Sequence, residues 1–130
     1  MLFMKKLTQA EEEIMQILWG LERALIKDVQ NHFGDPKPNY NTIATVLKVM
    51  EKKGFVSHKA YGSTYEYFPL VMKDNYAREQ LNRFSQSYFN NSFPRMAACF
   101  IRDKNLSVKE MDDLLKTLEE ELKKARKDYD

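Results

Sequence analysis

The stretch "NYNTIATVLKVMEKKGFVSHKAYGSTYEYFP", residues 39–69, constrains the fold most, because its apolar period changes part-way along. Ile43, Val46, Leu47 and Met50 recur every three to four residues and predict one buried face of a helix. Asn39 is a favoured residue type for that helix's N-cap, and Gly54 closes it. From there the apolar period drops to two. "FVSHKAY" and "TYEYFP" alternate, are rich in aromatic and β-branched residues, and flank "GS", the signature of a β-hairpin. A helix leading directly into a hairpin admits few topologies in a small chain.

The preceding residues narrow the choice. Thr8 and Glu11 have the spacing of a capping box, and Ile14, Ile17, Leu18 and Leu21 follow at helical intervals. Gly20 is read as the stop, giving a first helix over about Gln9–Trp19. "RALIKDVQNHFG" reads as a short strand and then a second helix ending at Gly34, with Ile26, Val29 and Phe33 on one face. "DPKP" is a proline-bounded loop. The order helix, strand, helix, helix, strand, strand is that of a winged helix-turn-helix.

After Pro69 the pattern changes again. Ala77, Leu81, Phe84 and Tyr88 mark an amphipathic helix, "NNSFP" breaks it, and "RMAACFIRDKN" is a short apolar helix or turn. Ser107 and Glu110 form a second capping box. Beyond it Met111, Leu115, Leu118, Leu122, Ala125 and Tyr129 alternate by four and three, a heptad-like seam that Leu114 widens. Exposed, such a seam is a solubility liability. It either packs on the winged domain or pairs with a second copy, and a homodimer through Leu81, Phe84, Met111, Leu114, Leu115, Leu118 and Leu122 is the favoured expectation. The expected class is mainly α with a small β-hairpin wing. A winged helix-turn-helix DNA-binding domain occupies residues 1–71 and a helical dimerisation domain residues 72–130.

The chain's 130 residues are 43% hydrophobic and 31% charged, a globular composition, and the net charge of +2 does not by itself announce a nucleic-acid partner. The distribution is more telling. Between Pro36 and Gly62 stand Lys37, Lys48, Lys52, Lys53 and Lys59 against Glu51 alone, whereas residues 11–13 are all glutamate. A lone cysteine, Cys99, excludes an internal disulfide and a thiolate metal cage; its apolar surroundings suggest a buried, inert thiol. His32 and His58 sit in no metal or nucleophile motif, and the four glycines make no phosphate loop. Neither catalysis nor a cofactor is expected. The apolar opening "MLFM" is too short for a signal peptide, no segment approaches a membrane span, and a cytoplasmic protein is expected.

On the helix over 39–53, Asn41, Thr45, Lys48 and Lys52 share the face opposite the apolar stripe, with Thr42 at its edge. The front half of such a helix meets base edges in the major groove. Asn pairs with adenine, Thr bonds to a base or touches a thymine methyl, and Ala44 is placed to touch a methyl too. Lys48 and Lys52 are assigned to phosphates, and Lys59 and Tyr61 on the hairpin to the backbone beside the groove. Lys52 and Lys53 serve equally well as solvated charges at a helix C-terminus. Tyr61, Tyr65 and Tyr67 are read mainly as sheet packing. Two other readings share the fold. One is a regulator of the MarR kind that holds a small molecule near Phe84, Tyr88, Phe89 and Phe93; the other is a winged helix that binds a protein.

Three motifs carry a resemblance over almost the whole chain: "E..IM.ILW" within "LTQAEEEIMQILW", "NTIATVLKVMEKKGFV" with the aromatic hairpin after it, and "CFIRDKNLSVKEMDDLLKTLEEE". Together they resemble the penicillinase repressor family, the BlaI/MecI type of transcriptional repressor. The resemblance implies a homodimer with intertwined C-terminal helices that binds palindromic operators and blocks transcription of resistance genes. It carries DNA contacts onto Asn41, Thr42, Ala44 and Thr45, where the family often has Lys and Arg at the first and third of these positions. It also implies release by proteolysis after a membrane-bound sensor detects a β-lactam. The cut, an Asn–Phe bond in the family, falls here on Cys99–Phe100. The family's copper-responsive members carry a cysteine-rich tail that this chain lacks.

Overall fold

A computed structural model describes residues 6–129. The expectation about "MLFM" therefore lies outside the described residues. The element order is α1 (Gln9–Leu21), β1 (Ala24–Leu25), α2 (Ile26–Asn31), α3 (Tyr40–Lys52), β2 (Val56–Tyr61), β3 (Thr64–Pro69), α4 (Lys73–Phe89), α5 (Phe93–Lys104) and α6 (Val108–Tyr129). It is mainly helical with a small antiparallel sheet after the helix-turn-helix, a winged helix followed by further helices. The chain divides into two compact units, Met1–Asn82 and Arg83–Asp130.

The first unit is built around one apolar cluster. α1 contributes Ile14, Met15 and Leu18, and α3 contributes Ile43, Leu47 and Met50. Val29 of α2, Phe55 and Val56 at the start of the hairpin, and Tyr67 of β3 close the cluster. The strands run in the order β1-β3-β2, with Ala24 opposite Tyr67 and His58 opposite the other side of Tyr67. Tyr61 and Thr64 close the hairpin over a two-residue turn that Gly62 enters at φ +62°, a conformation open to glycine without steric cost. The first turns of α4 belong to this unit. Tyr76 is buried, its hydroxyl accepts from the Leu7 N–H at 2.9 Å, and its ring lies 5.9 Å from Trp19 and edge-on to Phe55 at 6.0 Å. Trp19 Nε1 in turn donates to the Val71 carbonyl at 2.8 Å.

The second unit holds the last turns of α4, α5 and α6. α4 ends where Asn90 and Asn91 take positive φ, which asparagine tolerates better than most residues. The Ser92 hydroxyl caps α5 by accepting from the Arg95 N–H. Ser107 and Glu110 bond reciprocally at the start of α6, so this second capping box is formed as expected. No residue of α6 is buried.

Several local expectations are corrected. α1 runs through Gly20 to Leu21 and is capped at Glu22, which adopts φ +69° and donates its N–H to the Leu18 carbonyl. Gly20 is one residue from the end of α1, where a glycine costs less than the about 1 kcal/mol of a helix interior, and burial of Met15 and Leu18 outweighs it. α2 stops at Asn31, short of Gly34, and Phe33 packs against the core from the loop. Asn39 holds the N-cap position of α3 by its backbone, while its side chain makes no cap bond. "RMAACFIRDKN" takes the helical of its two expected forms, within α5 and capped at Asn105, but Cys99 on it is exposed rather than buried.

Candidate nucleic-acid interface

The candidate surface is the outward face of α3 and the hairpin beside it. α3 is held from behind by Ile43, Leu47 and Met50, and its last turn is tied to α1 by an ion pair. Lys53 Nζ lies 2.9 Å from both carboxylate oxygens of Glu11, whose Oε1 also accepts from the Thr8 N–H at 2.9 Å. Burial pushes the Glu11 carboxyl up. The Thr8 backbone bond and the Lys53 ammonium outweigh that and hold it below the ordinary glutamate value. Lys53 is thus an internal tie, not a helix-end charge facing solvent, and Glu11 is a buried partner rather than one of a solvated glutamate cluster.

With the back of α3 buried, Asn41, Thr42, Thr45, Lys48 and Lys52 are all exposed. Ala44 sits on the flank, half-buried and packed on the core. The Thr45 hydroxyl donates to the Asn41 carbonyl one turn back at 2.9 Å, which sets its rotamer. Sequence reasoning missed two further exposed residues. Tyr40 opens the helix at 49% exposure, and Val49 stands at 43% on the polar stripe, four residues beyond Thr45. Val49 was legible: its spacing from Thr42 and Thr45 matches the outward face rather than the Ile43–Leu47–Met50 stripe.

The loop before α3 is pinned by Gln30 Nε2, which donates to the Pro38 carbonyl at 3.0 Å. On the hairpin, side chains alternate between faces. His58, Tyr65 and Tyr67 share one face. The His58 ring stacks on Tyr65 at 4.3 Å and lies 5.4 Å from Tyr67. Tyr67 is buried, and burial first, then the nearby Glu51 carboxylate, raises its hydroxyl pKa. Lys59 and Tyr61 lie on the other face, where Lys59 Nζ stands 5.3 Å over the exposed Tyr61 ring and opposite Glu66 in register. Glu66 is in turn 3.7 Å from Arg23. The structure therefore brings Asn41, Thr42, Thr45, Lys48 and Lys52 onto one helix face, and places Lys59 and Tyr61 separately, toward the hairpin tip.

In the second unit the residues expected to pair with another copy remain uncovered. Phe84, Met111, Leu114, Leu115, Leu118 and Leu122 are all exposed; so is Leu81, at the end of the first unit. Phe84 contacts Tyr88 at 4.9 Å and Phe89 at 5.8 Å between ring centroids, an open aromatic cluster on one helix rather than the wall of an enclosed pocket. Cys99 and Phe100 both sit exposed on α5. Among the described residues, no group of three or more His, Cys, Asp or Glu is placed to hold a metal ion, and no helix is long and apolar enough to cross a membrane.

The sequence model described as penicillinase repressor matches residues 7–120. The chain is similar to the penicillinase repressor of Bacillus licheniformis, at 27% identity over 121 residues, covering 90% of this chain and 94% of that protein. It is similar also to the methicillin resistance regulatory protein MecI of Mammaliicoccus sciuri and of Staphylococcus aureus (strain N315). Each is 26% identical over 113 residues, covering 84% of this chain and 89% of the relative. These relatives are named as regulators rather than enzymes. With a family match spanning the winged unit and most of the C-terminal helices, the chain belongs to the penicillinase repressor family.

Proposed function

We propose that the protein is a dimeric transcriptional repressor that reads a palindromic operator with α3 and joins its two halves through the C-terminal helices. The observation that carries this reading is the exposed polar stripe of α3, backed by a buried core and ending in exposed lysines. Asn41, Thr42 and Thr45 take the base-reading positions at the helix front, with Ala44 at the margin of the contact. Lys48 and Lys52, a turn or more further on, meet phosphates; Lys59 and Tyr61 meet the backbone at the wing. Residues 1–71 form the DNA-binding domain and residues 72–130 the dimerisation domain, so one winged domain occupies one half-site. Pairing makes the second contact effectively intramolecular. Such a protein acts in the cytoplasm.

Release by proteolysis at Cys99–Phe100, downstream of a membrane-bound β-lactam sensor, is the regulatory part of the proposal. The bond lies inside a helix. A protease needs it locally unwound, so cleavage would follow opening of α5. Challenging cells with a β-lactam tests this part. Accumulation of two fragments as target genes switch on supports it, and intact protein alongside switched-on genes removes it.

The direct test of the main reading is fluorescence anisotropy with the DNA upstream of the protein's own gene, beside a scrambled duplex, over a salt series. Preferential binding of two chains per duplex with a steep salt slope is the expected result. Weak, equal binding to both duplexes, followed by no enrichment in a random-sequence selection, overturns it in favour of a winged helix that binds protein.

A further inference from the structure

The hairpin has a firm base and a free end. Its base is anchored by buried Phe55 and Val56, and the Phe55 carbonyl accepts from the N–H groups of Leu70 and Val71. The outer half, from Lys59 to Tyr65, is exposed throughout. β1 pairs with β3 only as far as Leu25 opposite Glu66, and beyond it the hairpin is two-stranded; a two-stranded hairpin is marginal in water, so the outer half needs something other than its own ladder to hold an angle.

Arg23 reaches Glu66 from just before β1, and one side chain links the hairpin to α3. His58, midway along β2, directs Nδ1 at Glu51 Oε1 of α3 over 2.6 Å. The same imidazole stacks on Tyr65 with ring planes 27° apart and leans on Tyr67, which belongs to the core. Helix, outer strand and core thus meet at one ring. Among the described residues, this is the side-chain hydrogen bond that joins α3 to the hairpin. Glu51 lies on the same flank of α3 as Ala44 but two turns further on, and off the line of Asn41, Thr45 and Lys52, so it is not itself aimed where a base would lie.

The geometry points to the Glu51–His58 pair as a clasp that fixes the wing's angle to α3, so that helix stripe and wing engage DNA as one surface. This rests on the operator-binding reading above. Phosphates on a duplex stand at fixed positions, and a cation on a swinging arm loses part of its attraction to the ordering it must undergo on binding. Both partners are positioning residues; neither contacts the nucleic acid.

Electrostatics alone and the clasp predict opposite signs for one substitution, which makes the idea testable. Removing a carboxylate beside a DNA-binding surface raises affinity by charge. Glu51→Ala should instead weaken operator binding by about three- to tenfold, because the wing is released. Glu51→Gln removes the same charge but keeps an oxygen for His58, and should bind as tightly as the original protein or more so. The salt slope of Glu51→Ala should fall by about one phosphate contact, as for Lys59→Ala. The Glu51→Ala, Lys59→Ala double variant should be no weaker than the weaker single one, and hydroxyl-radical footprints of Glu51→Ala should lose protection only beside the site. If Glu51→Ala melts below the assay temperature, His58→Phe keeps the stack on Tyr65 and removes the bond. Affinity of Glu51→Ala equal to or above the original, or losses that multiply in the double variant, overturn the clasp. Failure of the original protein to prefer its operator removes the repressor reading and the clasp with it, whereas good binding by the original and by Glu51→Ala removes the clasp alone.

Discussion

The two units differ in how they satisfy their apolar residues. The first closes a core on itself: Met15, Leu18, Val29, Leu47, Met50 and Val56 are shielded from water completely. The second leaves Leu114, Leu115, Leu118 and Leu122 in the open along a helix with no buried residue at all. The contrast teaches that an apolar pattern specifies a face, not the face's partner. In α3 the stripe finds α1 and the sheet within the chain; in α6 a stripe of equal regularity stays exposed. It also separates two kinds of fragility. Damage to the first unit should appear as lost folding, and damage to the second as lost assembly.

The substitution with the largest expected effect on that contrast is Leu118→Asp. A charge at the middle of the α6 seam should abolish the dimer and lower operator affinity by about 10²–10⁴-fold through lost avidity, while the winged unit keeps its melting transition. Sedimentation showing an intact dimer would remove the seam assignment. Leu47→Ala should do the reverse, costing about 2–5 kcal/mol of stability by leaving a cavity, with the remaining folded fraction still dimeric; denaturant titration measures it. Glu11→Gln should cost about 1–3 kcal/mol by leaving Lys53 without its charged partner. The pH dependence has a definite sign. Because the folded-state pKa of Glu11 is lowered, its contribution is present above the unfolded pKa and is lost as pH falls through the folded one. The gap between the original protein and Glu11→Gln should therefore narrow on acidification.

Smaller effects probe the recognition face alone. Thr45→Ala should reduce discrimination between operator and random DNA by about 1–3 kcal/mol; an equal loss on both sequences would deny it a base-reading role. Lys52→Ala should weaken all sequences alike and reduce the salt slope by about one, and a sequence-dependent loss would move it from phosphate to base.

What was legible in the sequence was local. The capping boxes at Thr8 and Ser107, the turn at Gly62 and the outward stripe of α3 each depend on residues within a few positions of one another. What was illegible depended on distant partners. Gly20 stays helical because Met15 and Leu18 are held by the core, and Lys53 turns inward because Glu11, 42 residues earlier, is buried beneath it. Asn39 follows the same rule in reverse: its backbone starts the helix although its side chain does not help. Cys99 has apolar neighbours in the sequence, yet α5 leaves the residue exposed. In the candidate site the exposed polar stripe is readable, whereas Val49, being apolar, invites assignment to the core although it is exposed.

If Thr45 reads a base as proposed, the bond from its hydroxyl to the Asn41 carbonyl limits the information an operator can carry there. While its proton is engaged with that carbonyl, the oxygen can only accept. An acceptor distinguishes bases that present an amino group in the major groove, adenine and cytosine, from those that present a keto group, guanine and thymine. A base position sorted by that oxygen alone would carry roughly one bit rather than two, and sites selected in vitro would alternate there between adenine and cytosine.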